Sequence, residues 1–398
     1  MQLFQCQCCG QLLHFENTVC LRCGRQVGFL PDRGQMAAVE AEGPVWRLAE
    51  AETALPDPDQ EYRFCANWEM SGCNWMLRAD RGETFCRACR HNRTVPDLAD
   101  PVNHARWQKI EAAKRRLIYT LERLGLPAPL AGDGHPEPMI FDFLADSPDQ
   151  SNRVMTGHDS GVVTIALTEA DDAHREKLRQ DMNEGYRTLL GHFRHEIGHY
   201  YWDILVRDGG RIEAFRELFG DESYDYGQAL QTHYANGAPA GWQNAHVSAY
   251  ATMHPWEDWA ETWAHYLHMV DTLETAAAFG MKVEPELDED GELSTELDFD
   301  PYRVRGIKRL VSAWMPLTVA LNAMNRSMGQ NDLYPFVLPE PVLAKLGFVH
   351  DLVRGARPGA APAAPAGADA GAGAQSGQGM PDPETREAEQ AEPSSAAM

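Results

Sequence analysis

The 398-residue chain has no cysteine beyond Cys89, no run approaching 18 consecutive apolar residues, and no basic-then-apolar segment near its start. The second absence excludes a membrane-spanning helix. The third leaves no Sec-type signal, so the cytoplasm is the expected location. Positive charge is scarce as well: 35 Lys and Arg stand against 59 Asp and Glu, a formal charge of −24. So acidic a chain repels a phosphate backbone, and nucleic acid is not an expected partner. A local cluster of Arg78, Arg81, Arg87, Arg90 and Arg93 runs against that trend. No internal repeat stands out beyond two cysteine sets. Hydrophobic residues make up 43% and tryptophans number 10, enough for a real core, so wholesale disorder is excluded.

Nine cysteines, clustered in the first 89 residues, fit metal thiolates better than disulfides. CQCCG and CLRCG provide two knuckles, Cys6/Cys9 and Cys20/Cys23. Each CxxC lets two thiolates converge on one tetrahedral ion, and the following glycine permits the tight turn beneath it. Cys8 either replaces a neighbour or stays free. A second set consists of Cys65, Cys73, Cys86 and Cys89, with His91 as an alternative ligand; only its second half is a CxxC. One or two structural zinc ions follow. Residues 31–60 are mixed and acidic, and PDPDQ at 56–60 can continue neither a helix nor a central strand, so the segment reads as a connector.

Residues 103–124 show helical spacing through Trp107, Ile110, Ala113/Lys114, Leu117, Leu121 and Leu124, stopped by Gly125 and Pro127. MIFDFL (139–144) and GVVTIAL (161–167) read as strands. TEADD predicts the start of one long helix over 171–206, and further helices are expected near 211–219, 225–235, 257–278 and 302–327. The acidic stretch 284–300 lacks the ligand spacing of a calcium loop and reads as solvated. From about Gly355 the chain is Ala/Pro/Gly-rich and too apolar-poor to order itself.

Inside the long helix lies HEIGH: His195 and His199 are four apart, with Glu196 after the first. On a helix both imidazoles share one side. Leu189, Leu190, Phe193, Ile197, Tyr200 and Ile204 form an apolar stripe, while His192, His195, Glu196, His199 and Asp203 form the polar one; a plain amphipathic helix would show the same faces. A catalytic zinc needs a third protein ligand and one open position. Trp202 and Leu205 stand where the metzincin pattern requires Gly and His, so that class is excluded. HPWEDWAETWAHYLH (254–268) offers a carboxylate instead. Glu257 and Glu261 stack on one helix face, with Trp256, Trp259/Ala260, Trp263 and Leu267 opposite. Carboxylates on so tryptophan-rich a helix need partners; otherwise the two are a solvated acidic pair.

HEIGH together with SAYATMHPWEDWAE resembles the gluzincin zinc peptidases of the lethal-factor type. There a Tyr follows the HExxH helix, and seven residues later comes the Glu of an E-x-x-A-E segment. Tyr250, Glu257, Ala260 and Glu261 reproduce that order. The layout up to about residue 354, with a rubredoxin-like zinc ribbon ahead, also resembles a bacterial family of zinc-binding metallopeptidases. The resemblance implies that His195, His199 and Glu257 ligate a catalytic Zn2+ and that Glu196 is the general base. It further implies that Tyr250 stabilises the oxyanion and that Glu261 orients a ligand histidine. Rival oxyanion donors are His246, His254, Tyr200 and Tyr201, and Asp203 or His192 could support the ligands. Zincins place an edge strand where GVVTIAL lies, to which a peptide could add; a plain core strand is the alternative.

The expected fold is α+β: a mostly helical zincin-like metallopeptidase domain with a small sheet (99–354), preceded by a cysteine-rich zinc-ribbon module (1–98) and followed by a disordered tail (355–398). The expected function is zinc-dependent peptide hydrolysis on a peptide or protein substrate, with the ribbon available to dock a protein partner. The alternative is a non-catalytic zinc protein whose zincin domain and ribbon bind protein or nucleic acid.

Overall fold

The computed structural model describes residues 1–50, 57, 59–147, 153–181 and 188–355. The expected tail beyond Gly355, Pro56 and Pro58 of the expected connector, and 182–187 of the expected long helix lie outside the described residues.

A short hairpin, β1 (Phe4–Gln5) with β2 (Leu12–Leu13), carries the first knuckle. The following β3 (Gln26–Leu30), β4 (Gln35–Glu42), β5 (Val45–Leu48), β6 (Tyr62–Phe64) and β7 (Met76–Arg78) form one antiparallel sheet in sequence order. The segment 31–60 is therefore not a plain connector, because it supplies β4 and β5. Its apolar run Met36-Ala37-Ala38-Val39 is buried throughout, which erases the alternation that marks a half-exposed strand.

After a one-turn helix, α1 (Arg87–Arg90), the chain enters β8 (Asn92–Thr94). This strand belongs to a second sheet with β9 (Ile140–Leu144), β10 (Gly157–Asp159) and β11 (Val162–Ala166), ordered β10-β11-β9-β8. GVVTIAL is thus not an edge: β11 pairs with β9 on one side and β10 on the other. The outer strands are β8 and β10.

α2 (Pro101–Leu124) starts where the Asp100 carboxylate accepts from Val102 and Asn103 N–H groups, and it ends at Gly125 in the left-handed conformation. The expected helix over 171–206 is two helices, α3 (Asp172–Asp181) and α4 (Leu189–Trp202). Thr188 begins the second by accepting the Gly191 N–H through its hydroxyl. α5 (Ile212–Phe219), α6 (Tyr226–Asn236), α7 (Pro255–Ala278) and α8 (Ile307–Ser327) follow near their expected places. α8 begins five residues late because Pro301–Arg303 forms a separate 3₁₀ turn. An unexpected α9 (Glu340–Gly355) packs on α7, with Lys345 Nζ 2.6 Å from Asp258.

The core runs from the cysteine module through α2 to the crossing of α4 and α7. Trp259 and Trp263 are fully buried there, and Trp259 Nε1–H donates to the Gly198 carbonyl at 2.8 Å. Gly198, the glycine of HEIGH, sits at the closest approach: a Cβ on it would stand 3.1 Å from Ala260 Cα. Only hydrogen fits without displacing the neighbouring helix. Among the described residues, no helix is long and apolar enough to cross a membrane.

Candidate metal centre

Two helices and one turn build the site. α4 presents His195, Glu196 and His199 near its C-terminal half. α7, begun by Pro255 and capped by His254, presents Glu257 in its first turn and Glu261 one turn on. One ligand atom each from His195, His199 and Glu257 lie within 4.8 Å of one another. Glu257 Oε2 is 3.0 Å from His195 Nε2, and Oε1 is 3.5 Å from His199 Nε2. His195 Nδ1 is 2.7 Å from Glu261 Oε1, and Ser248 Oγ donates to Glu261 Oε2 at 2.6 Å. The like-charged Glu257/Glu261 pair is thus held by one imidazole between the carboxylates.

These residues fit a cation. With Nδ1–H donated to Glu261, a neutral His195 turns the lone pair of Nε2 toward the Glu257 carboxylate, and two electron-rich groups face each other in a buried place. A metal ion between them satisfies both. Protein alone can do so only by charging the ring. Burial works against that charge, yet Glu257 and Glu261 hold His195 well above its usual value. Burial likewise opposes ionisation of Glu257, which the two histidines overcome, keeping it well below the carboxylate range. Glu261 is drawn down to about 2, its burial outweighed by the bond to His195.

Glu196 is half-buried, and among the described residues no hydrogen bond or ion pair engages its carboxylate. Tyr250, in the turn Tyr250–Thr252, has its ring 6.0 Å from that of His195. Burial, followed by the charge of Glu257, raises its hydroxyl far above the usual tyrosine value, so it stays a hydrogen donor.

Other sequence expectations resolve differently. The hydroxyls of Tyr200 and Tyr201 donate to the carbonyls of Glu137 and Pro127. His254 is spent on capping α7 and on the Tyr224 carbonyl, and His246 faces Asp258. His192 pairs with Glu169, and Asp203 with Arg207. Trp256 is half-buried against the core and also walls the site, its ring 4.2 Å from that of His199. Sequence reasoning missed two neighbours. Tyr226 donates to Glu257 Oε1 at 2.9 Å, and His158 of β10 stacks near-parallel on His199, rings 6.4 Å apart. Neither has a motif; each arrives through tertiary structure.

Both cysteine quartets assemble. Cys6, Cys9, Cys20 and Cys23 form one group and Cys65, Cys73, Cys86 and Cys89 the other. Sulfur pairs stand 3.6–3.8 Å apart, too far for disulfides and right for a shared ion. Gly10 and Gly24 take the left-handed conformation that closes the knuckles. Backbone N–H groups of Trp75 and Cys86 point at the sulfurs of Cys73 and Cys65. Burial raises the Cys86 thiol far up and the Cys6 thiol to about 12, whereas the Arg25 backbone N–H draws Cys23 down to about 6. Cys8 stands outside, its thiol on the Glu50 carbonyl, and the second quartet assembles without His91, whose Nδ1 lies on the Met139 carbonyl. Behind the second quartet, the fully buried Lys114 pairs with Glu111 at 2.9 Å, and Glu111 accepts from the Cys89 thiol. In the arginine cluster, Arg78, Arg87, Arg90 and Arg93 pair with Asp80, Glu122, Glu83 and Asp142, which blunts its basic character.

Two four-thiolate clusters on a small β module and a buried His-His-Glu cluster between two helices define a metal-binding protein of mixed helix and sheet. The chain belongs to the family described as "Putative zinc-binding metallo-peptidase", whose pattern matches residues 103–352; residues 3–100 match a zinc-ribbon domain. Uncharacterized proteins of Mycobacterium bovis and Mycobacterium tuberculosis are each 42% identical over 363 residues, covering 91% of this chain and 98% of theirs. No solved structure matches the chain.

Proposed function

We propose that the chain is a zinc-dependent peptidase of the gluzincin type, with His195, His199 and Glu257 as metal ligands and Glu196 as general base. The observation that carries this reading is the meeting of two imidazole Nε2 atoms with a buried carboxylate beside the uncommitted Glu196. Zinc held there would polarise a peptide carbonyl and lower the pKa of a water molecule toward neutrality. Glu196 takes the proton of the attacking water and returns it to the leaving amine. Tyr250 donates its phenolic hydrogen to the carbonyl oxygen as that atom gains charge. Glu261 fixes the His195 tautomer that leaves Nε2 free for the ion. An extended substrate adds to the outer strand β10, which carries His158 beside His199.

In this reading residues 1–98 are a ribbon holding two structural zinc ions and available to a protein partner, and 99–354 are the zincin-like catalytic domain. Nine cysteines with no disulfide among them suit a reducing compartment such as the cytoplasm. Purified protein should hold three zinc ions and cleave members of a mixed peptide library in a chelator-sensitive way. Glu196→Gln should lower that cleavage about 10²–10⁴-fold while keeping all three ions. Cleavage that persists in the variant would overturn the mechanism. A wild-type protein with three ions and no cleavage would favour the non-catalytic binding role.

A further inference from the structure

α6 has no buried residue, yet its first side chain reaches the metal centre. The helix start is fixed by Asp225, whose carboxylate accepts the Gln228 N–H at 2.8 Å. From there the Tyr226 ring lies edge-on to His254 and Trp256, at 5.3 and 6.4 Å. Its hydroxyl donates to Glu257 Oε1 at 2.9 Å. Having given its only hydrogen to the carboxylate, the Tyr226 oxygen is left with acceptor capacity alone.

We infer that Tyr226 is a positioning residue for the metal centre: it occupies Oε1 of Glu257, leaving Oε2 as the single ligand oxygen. This rests on the proposed His195/His199/Glu257 site. The two oxygens of Glu257 are already unequal, with Oε2 3.0 Å from His195 and Oε1 3.5 Å from His199. A donor fixed on the second oxygen keeps the carboxylate from turning to bind through both. Partners that orient a ligand in this way commonly govern metal affinity by 10–100-fold.

Tyr226→Phe keeps the ring and removes the hydroxyl. The test uses full-length protein whose thiolate clusters retain zinc while a mild chelator has emptied the third site. That site is then titrated with zinc against a competing chromophoric chelator, and separately with cobalt(II). Tyr226→Phe should weaken zinc about tenfold. Its cobalt ligand-field bands should lose intensity as Glu257 binds through both oxygens and the coordination number rises. Tyr250→Phe should leave both readouts near wild type, because the hydroxyl bonded to the Glu257 carboxylate is that of Tyr226. Zinc retained in the thiolate clusters reports that each variant is folded. Zinc affinity within twofold of wild type together with an unchanged cobalt spectrum in Tyr226→Phe would overturn the role. A wild-type protein that takes up no third ion would instead overturn the metal site itself.

Discussion

Replacing Lys114 by methionine should destabilise the protein far more than an average point substitution. The Lys114 ammonium and the Glu111 carboxylate are both fully buried and 2.9 Å apart. At an effective dielectric of about 20, that separation corresponds to an attraction of roughly 6 kcal/mol, much of it offset by the desolvation of both ions. Burial works against the Lys114 charge, but Glu111 and then Cys89 hold its pKa above the usual value. Removing the cation alone leaves Glu111 charged, dry and facing the Cys89 sulfur. Breaking one side of such a pair costs about 3–5 kcal/mol. In a thermal melt followed by tryptophan fluorescence, Lys114→Met should lower Tm by roughly 5–10 °C. The double variant Glu111→Gln/Lys114→Met should regain at least half of the loss, since neither member of the buried pair is then left as an ion without its partner. A single variant within about 1 kcal/mol of wild type, or a double variant worse than the single, would refute the reasoning.

Gly198→Ala would push a methyl to 3.1 Å from Ala260 Cα and 3.2 Å from Trp263 Cδ1. Overpacking of about 1–3 kcal/mol, eased by up to about 1 kcal/mol of helix propensity, should leave the fold intact but spread α4 from α7. Zinc affinity at the His-His-Glu centre should then fall about tenfold with the thiolate sites unaffected; chelator competition showing no change would count against the close-packed crossing. Burial lowers His265 to about 4, and it sits neutral with Nδ1 2.8 Å from the Tyr334 hydroxyl. Between pH 6.5 and 4 the unfolded chain binds a proton there that the folded chain does not. Stability present at neutral pH is therefore lost as pH falls, by about 3 kcal/mol at pH 4. Denaturant unfolding across that range should show a shallower slope for His265→Gln; parallel profiles would contradict the assignment.

The parts of the site legible in the sequence were those set by local spacing. HEIGH and the Glu257/Glu261 pair need only a helix to bring their side chains to one face, and CxxC knuckles need only a tight turn. Thr188 was less visible: an apolar stripe that continues across 182–190 hides the hydroxyl that starts a new helix. The strand β4 escaped because its buried run Met36–Val39 removes the alternating pattern, and β5 is only four residues long and half-buried throughout. Tyr226 and His158 could not be read at all. Each lies some 30 to 40 residues from its nearest partner in the site, on a surface helix and an outer strand, and only tertiary folding delivers it.

β8 follows directly on the last cysteine knuckle, yet it is a rung of the sheet beside α4. The seam between the two halves therefore runs through a β-ladder rather than along a tether. A fragment cut at residue 98 would bare the long side of β9, whose IFDFL sequence is apolar enough to recruit another chain. Exchanging this ribbon for another would leave β9 unpaired on that side unless the newcomer brought a strand of matching register.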